Sequence, residues 1–254
     1  MVKINSTPGA DRLFAEPRLA EVYDPLDPDR SDLDAYVALA RELGAQVVID
    51  VGCGTGTLAC LLAQEGLEVT GVDPAVASID VARRKPFADR VRWLAGDATD
   101  LPPGRADLVT MTANVAQVFV TDAAWSANLR AVRAALRPGG HLVFEVRDPE
   151  AQAWRGWTRQ QSHRRVEIPT VGVVESWTEV TKVARPLVTF RTTFVFGSDG
   201  AVLTSDSTLR FRTRDEMSGS LVAAGFVVKE VRDAPDRPGR ELVFLARRGG
   251  DRPR

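Results

Sequence analysis

Residues Asp50-Val51-Gly52-Cys53-Gly54-Thr55-Gly56 decide the fold. Val47-Val48-Ile49 runs into them, and Leu58, Leu61 and Leu62 follow at helical spacing up to a stop near Gly66. A short apolar run bounded by glycines reads as a buried strand, and the periodicity after it reads as a helix. Glycines at alternate positions permit positive φ and let a backbone come close to a ligand. The first N–H groups of a helix lack partners within it, so those at this helix start are expected to face an electron-rich ligand group.

Upstream, Ser31 has the residue type of a helix N-cap, ahead of Leu33, Tyr36, Val37, Leu39 and Ala40 at helical spacing, with Gly44 as the stop. Downstream, strands are predicted at Val69–Asp73, Val91–Leu94, Ala106–Met111 and Leu142–Val146, the last entered through Pro138-Gly139-Gly140. Helices are predicted at Ala75–Arg84 and Ala123–Leu136. Alternation of this kind implies parallel strands joined by right-handed crossovers with helices on both faces, a sheet that binds ligands at the carboxyl ends of its strands. After about residue 150 the period becomes two. Val188, Phe190, Thr192, Phe194 and Phe196 alternate with Thr189, Arg191 and Thr193, and Gly197-Ser198-Asp199-Gly200 turns the chain into a returning strand over 203–213. Val173–Val183 is a partner strand. Arg214–Gly225 reads as a helix, and Phe226–Val231 and Leu242–Ala246 as strands that pair antiparallel at the end of the main sheet.

The expected architecture is α/β: a doubly wound, mostly parallel, seven-stranded Rossmann-like sheet with an antiparallel β insertion after strand five. Its divisions are a flexible N-terminus (1–18), a ligand-binding core (19–150), the insertion (151–213), a closing helix and strand pair (214–248) and a tail (249–254).

Bulk properties limit the partners. Among 254 residues, 33 basic residues stand against 34 acidic ones, so no overall field draws in nucleic acid or an anionic membrane, and neither is an expected partner. No apolar run approaches the roughly eighteen residues of a membrane-spanning helix, and the N-terminus holds no apolar run typical of a signal peptide. Cys53 and Cys60 fit neither a disulfide framework nor a zinc site, and no metal constellation is visible. These features lead to the expectation of a cytoplasmic protein acting on a small molecule, with a homodimer left open.

Two acids carry the chemistry beyond the loop. Asp73 closes the second strand, about twenty residues on, where a carboxylate can accept hydrogen bonds from both hydroxyls of a ribose. With Pro74 next, it could equally cap the following helix. Gly96-Asp97-Ala98 ends the third strand; Asp97 could accept from an adenine amino group while the Ala98 N–H meets a ring nitrogen. The order of the Asp50–Gly56 loop, Asp73, Gly96-Asp97-Ala98, Ala106-Asp107-Leu108-Val109 and Leu136-Arg137-Pro138-Gly139-Gly140 resembles the class I S-adenosylmethionine (SAM)-dependent methyltransferases, over roughly residues 20–150 and the closing strand pair. The resemblance implies SAM as cofactor. It implies Gly52, Cys53, Gly54 and Gly56 against the methionine end, Asp50 near its amino group, Asp73 and Pro74 at the ribose, Asp97 and Ala98 at the adenine, and Met111 to Ala116 near the methyl group. It also implies that Tyr23, of the Tyr23-Asp24 pair, folds over the sulfonium, where an aromatic face favours a cation.

The expected reaction is methyl transfer to a small-molecule N, O or C acceptor. No catalytic base is assigned. His141 lies at the amino end of its strand, away from a carboxyl-end site, and His163 sits in a basic surface cluster with Arg164 and Arg165. Trp154, Trp157 and Trp177 either wall a substrate pocket or pack the insertion onto the core. Two alternatives are kept. One is a nicotinamide-dependent oxidoreductase, although the fingerprint of that class puts its third glycine at the position of Thr57. The other is a non-catalytic SAM-binding protein on the same fold.

Overall fold

The structure, a computed structural model, describes residues 9–250. Helices α1 (Arg12–Ala15), α2 (Pro17–Leu26) and α3 (Asp34–Glu42) lead into β1 (Val47–Val51), α4 (Thr57–Gln64), β2 (Glu68–Asp73), α5 (Val76–Ala82), β3 (Val91–Ala95), β4 (Ala106–Met111), α6 (Asp122–Ala135) and β5 (Leu136–Arg147). Then come α7 (Arg159–Ser162), β6 (Arg164–Ile168), β7 (Gly172–Ala184), β8 (Leu187–Phe196), β9 (Val202–Arg210), α8 (Arg214–Ala223), β10 (Phe226–Asp233) and β11 (Glu241–Arg248).

The main sheet has the order β10-β11-β5-β4-β1-β2-β3. β1 pairs parallel with both β2 and β4, whereas β11 runs antiparallel to β5 and to β10. The chain moves outward from β1 to β3 and then crosses to β4 on the other side. That reversal opens a crevice at the carboxyl ends of β1 and β4. Two apolar layers flank the sheet. Trp125 of α6 meets Phe144 edge-on at 5.6 Å, and Phe144 stacks on Phe244 at 5.1 Å. On the other face, Tyr36 and Leu39 of α3 and Leu58 and Leu62 of α4 cover Val48, Val69 and Val143. Pro138-Gly139-Gly140 lies inside β5 rather than before it. The pairing of β4 with β5 slips between Ala106 and Leu108, and Gly139, at φ +80°, absorbs the extra length.

The insertion is a four-stranded antiparallel sheet in the order β6-β7-β8-β9, with Trp177 opposite Thr193 and Phe194 opposite Leu203. One part of its apolar face, with Val174, Phe194 and Phe196, packs on Leu19, Val22 and Leu26 of α2. Trp154 and Trp157 join Val188, Leu209, Phe211 and Phe190 in a separate apolar cluster at the other end of the insertion, with Trp154 edge-on to Phe211 at 4.6 Å.

Two local expectations are corrected. The flexible N-terminal stretch was placed at 1–18; residues 1–8 lie outside the described residues, but 12–15 and 17 onward are helical and packed. Arg18 forks onto Asp199 at 2.8 and 3.0 Å, and Ser78 Oγ donates to the Phe14 carbonyl at 2.9 Å. Such short helices carry little periodicity of their own and owe their order to tertiary packing. Ser31 is not the N-cap of α3. It opens a tight 3₁₀ turn, Ser31–Leu33, and its own N–H donates to Asp29 Oδ1 at 3.0 Å, so α3 begins only at Asp34. Among the described residues, no helix is long and apolar enough to cross a membrane. The tail reading for 249–254 falls mostly on 251–254, outside the described residues.

Candidate functional site

The loop leaving β1 sits at the crevice. Gly52, Gly54 and Gly56 have φ of +72°, +51° and +77°, a region that costs other residues about 1–2 kcal/mol. Four of the loop's N–H groups are used internally. Gly52 and Cys53 donate to the Val72 carbonyl at 2.8 and 3.2 Å, Gly54 to Asp73 Oδ2 at 2.9 Å, and Gly56 to the Cys53 carbonyl at 2.8 Å. The glycines differ in purpose. A Cβ on Gly56 would press into the Trp93 ring and lie 2.7 Å from Ala82 Cβ, so that residue is small because the protein packs against it. A Cβ on Gly54 would meet nothing within 4 Å, so its exposed face opens onto empty volume.

Asp73 ends β2 under that loop. One carboxylate oxygen accepts the Gly54 N–H, and the other accepts the Ala75 N–H at 2.8 Å. Each oxygen keeps a lone pair, the arrangement needed to receive a vicinal diol. Burial raises the Asp73 pKa, and the two amides oppose that rise. Asp50 is 1% exposed, with Thr110 Oγ1 donating to its Oδ1 at 2.8 Å. Burial pushes the Asp50 carboxyl up to about 7; Thr110 works against this and Asp73 adds to it. Asp97 caps the 3₁₀ turn after β3, accepting from Thr99 N and Oγ1 at 2.8 and 2.5 Å.

These groups line one cavity of about 420 Å³, together with Tyr23, Gly52, Cys53, Gly54, Pro74 and Ala98. That volume lies within the roughly 300–1,000 Å³ typical of small-molecule sites. Two expected residues stand apart. Gly56 packs against Trp93 as described. Met111 is fully buried beneath α6, its sulfur 3.4 Å from Asn128 Nδ2, and Thr112, Ala113 and Val115 form the wall in its place. Met111 is the last residue of β4, a strand buried on both faces, so the chain must turn past it before side chains reach the crevice.

The N-terminal helices cover the opening. Tyr23 of α2 lies 5.5 Å from the Phe14 ring of α1, and burial raises its pKa, so the phenol stays neutral. Thr55 Oγ1 donates to Asp24 Oδ1 at 2.8 Å, and Lys85 Nζ bridges Asp24 Oδ2 at 2.7 Å to Thr57 Oγ1 at 2.6 Å, tying α2 to the glycine loop. Arg30 also lines the cavity, its guanidinium held on Asp32 at 3.1 and 3.3 Å. The sequence offered no signal for Arg30, because it lies in an irregular connection between helices. His141, half-buried beside Arg137 and Arg247, lines no part of the cavity, and those neighbours and burial lower its pKa. His163 pairs with Glu175 at 3.2 Å on the insertion. Trp154, Trp157 and Trp177 do not line the cavity. Trp177 instead packs beneath the Arg159 guanidinium, 4.0 Å from its ring centroid, and donates to Glu179 at 2.8 Å. Among the described residues, no group of three or more His, Cys, Asp or Glu could hold a metal ion.

Residues 48–140 match the family model described as a methyltransferase domain. Those residues thus carry the signature of a methyltransferase domain. Over 118 residues it is 34% identical to a cypemycin N-terminal methyltransferase of a Streptomyces species, covering 46% of this chain and 48% of that one. It thus spans about half the length of the first curated relatives it matches. The fold is shared with the CcbJ methyltransferase of Streptomyces caelestis (TM-score 0.75, 22% identity, 95% of this chain and 100% of the other). It is also shared with the sugar N-methyltransferase KedS8 of a Streptoalloteichus species (TM-score 0.71, 20% identity, 91% and 92%).

Proposed function

We propose that this protein transfers a methyl group from SAM to a small-molecule N, O or C acceptor, and that the 420 Å³ cavity holds both reactants. The observation that carries this reading is the meeting, in one cavity, of an open face at Gly54, a carboxylate with free lone pairs at Asp73, and the buried acid Asp50. The residues fit the cofactor: Asp73 would accept from the ribose hydroxyls, Asp97 and Ala98 would hold the adenine, Asp50 the amino group and Arg30 the carboxylate. The charge also fits. Asp11, Asp73 and Asp97 line the cavity against Arg30, with Asp206 paired to Arg191 at 2.8 Å, a balance that favours a cationic sulfonium over the dianionic pyrophosphate of a nicotinamide dinucleotide.

SAM supplies a methyl carbon already activated by positive sulfur. The protein's task is then to align the acceptor and exclude water, and orientation alone can lower the barrier by roughly 7–11 kcal/mol. Phe14 and Tyr23 close one side, and Val118, Phe119 and Val120 after β4 close another. An acceptor panel starts with amines, because KedS8 is a sugar N-methyltransferase and the cypemycin enzyme an N-terminal methyltransferase. Thermal-shift titration with SAM, S-adenosylhomocysteine and NADH tests the cofactor; stabilisation by NADH alone overturns the reading. Transfer of label from methyl-labelled SAM to amines, phenols and sugars tests the activity, and its absence from every acceptor class would leave a SAM-binding protein.

A further inference from the structure

The insertion meets the cavity along a bare strand edge. β9 is the last strand of its sheet, so one side of its backbone has no strand beside it. The hydrogen bonds fix which residues face that side. Phe196 N–H donates to the Ala201 carbonyl at 2.9 Å, and Phe211 N–H donates to the Pro186 carbonyl at 2.9 Å. The odd-numbered residues of β9 therefore turn their backbone groups toward β8, and the direction alternates along an antiparallel pair. Thr204, Asp206, Thr208 and Arg210 turn N–H and C=O outward.

Bare strand edges invite pairing with another chain, and proteins usually cover them. Here both ends are covered and the middle is not. Arg12 Nη1 donates to the Thr204 carbonyl at 3.4 Å, and Gln117 Nε2 donates to the Arg210 carbonyl at 3.4 Å. Between them, the N–H and C=O of Asp206 and Thr208 have no partner among the described residues, and both residues line the reactant cavity. Their side chains are engaged across the sheet. Arg191 forks onto Asp206 at 2.8 and 2.9 Å, and the Thr208 and Thr189 hydroxyls meet at 2.9 Å. What these two residues offer a ligand is main chain. Outward groups on alternate residues recur at roughly 6.6–6.8 Å, the repeat of another extended chain. A carboxylate stands beside them. Ser207 Oγ donates to Asp11 Oδ2 at 2.5 Å, while Asp11 Oδ1 accepts from no described residue. Asp11 also lines the cavity, and none of the cofactor contacts proposed there uses it.

We infer that the methyl acceptor is the free amine of a short peptide, which adds to β9 as a further strand over Asp206 and Thr208 while Asp11 holds its ammonium group. This rests on the reading that the cavity takes SAM and an acceptor, and it names the acceptor's class. Main-chain pairing of this kind supplies affinity, and pockets for alternate side chains supply choice. For transfer, the ammonium first releases one proton to water. The amine lone pair then forms the N–C bond as the C–S bond breaks and its electrons stay on sulfur. The products are the N-methylated peptide and S-adenosylhomocysteine.

The test is calorimetric titration of peptides into the full chain saturated with S-adenosylhomocysteine at pH 7.5, beside transfer of label from methyl-labelled SAM. The probes are tripeptide amides with a free amine and alanine, leucine or phenylalanine in the middle. At least one is expected to bind and to be methylated on its amine. Two ester analogues of that probe lack the N–H of its second or its third residue; one of them is expected to bind at least fivefold more weakly, about 1 kcal/mol. Thr208→Pro removes an outward N–H and leaves the ladder to β8 intact, a change that edge strands tolerate. It is expected to weaken the peptide at least fivefold while S-adenosylhomocysteine still binds. Thr189→Val breaks the same hydroxyl pair but keeps that N–H, and is expected to bind the peptide as the parent does. Asp11→Asn is expected to weaken the peptide about tenfold, or 1.4 kcal/mol. Failure of every probe to bind overturns the inference. So do two ester analogues that both bind within twofold of the amide, or a peptide affinity within twofold of the parent's in Thr208→Pro or in Asp11→Asn. Should Thr208→Pro fail to fold by thermal melting, the ester pair decides on the parent protein alone. A parent that binds no S-adenosylhomocysteine refutes the cofactor site itself, a separate outcome.

Discussion

Replacing Asp73 with alanine separates what the carboxylate does for the fold from what it does for the ligand. In the free protein its two oxygens accept the Gly54 and Ala75 amides at 2.9 and 2.8 Å. In the complex each oxygen would also accept one ribose hydroxyl. Hydrogen bonds to a charged acceptor are worth about 1.5–3 kcal/mol each, so the pair sets a ceiling of roughly 3–6 kcal/mol on the loss. Water entering the truncated site recovers part of it. The expected result is a dissociation constant for S-adenosylhomocysteine raised at least tenfold, about 1.4 kcal/mol. The two orphaned amides should also lower stability by about 1–3 kcal/mol each unless water reaches them. The assay is isothermal calorimetry at pH 7.5 beside urea unfolding, so that both quantities come from one preparation. If the variant is folded by its urea midpoint and binds within twofold of the parent, Asp73 does not hold the ribose and the assignment is wrong.

Three further outcomes are expected. Gly54→Ala and Gly56→Ala should part company: the first folds with a strain of about 1–2 kcal/mol but loses ligand binding because its methyl occupies the open face. The second loses more stability, because its methyl meets Trp93 and Ala82, and comparable urea midpoints for the two would refute the distinction. Asp50, raised to about 7, keeps a proton in the folded chain that the unfolded chain releases near 4, so stability should fall as pH rises from about 4 to about 7 and then level off. Asp50→Asn removes that dependence, and its urea midpoint should exceed the parent's at pH 8 and converge on it near pH 4; no gain at pH 8 would falsify the assignment. Asp24→Ala unfastens α2 from Thr55 and Lys85 and should weaken S-adenosylhomocysteine binding several-fold with a loss of about 1–3 kcal/mol in stability, as measured by calorimetry and urea titration.

The sheet was legible because each strand of the core is a short apolar run and each turn is marked by glycine, from Gly52 through Gly139. The insertion was legible for a different reason: Val188 to Phe196 alternates strictly, as a strand with one covered face must. The lining of the cavity was readable where it depends on backbone chemistry, at Gly54 and Asp73. It was less so where it depends on direction. Nothing in the composition of β4 distinguishes Met111, which points into the core, from Thr112, which reaches the cavity, since both faces of that strand are buried. Nor did the loop sequence show that its amides bond the Val72 carbonyl and the Asp73 carboxylate. Ser31 has the right residue type for a cap, yet Asp29 captures its amide and delays the helix. The cover formed by Phe14, Tyr23 and Arg30 depends on contacts far along the chain, which local periodicity does not encode.

The cover's bonds have a bearing on biosynthesis. The Leu13 amide donates to Ser205 Oγ at 2.8 Å and Ser207 Oγ donates to Asp11 at 2.5 Å, links that span 192 and 196 positions. A ribosome extending the chain by about 5–20 residues per second delivers those serines some 10–40 seconds after their partners. Through that interval the nascent chain can assemble β1 to β5 and fasten α2 to the glycine loop through Asp24, while Asp11 and Leu13 at the roof's edge wait for β9 to emerge.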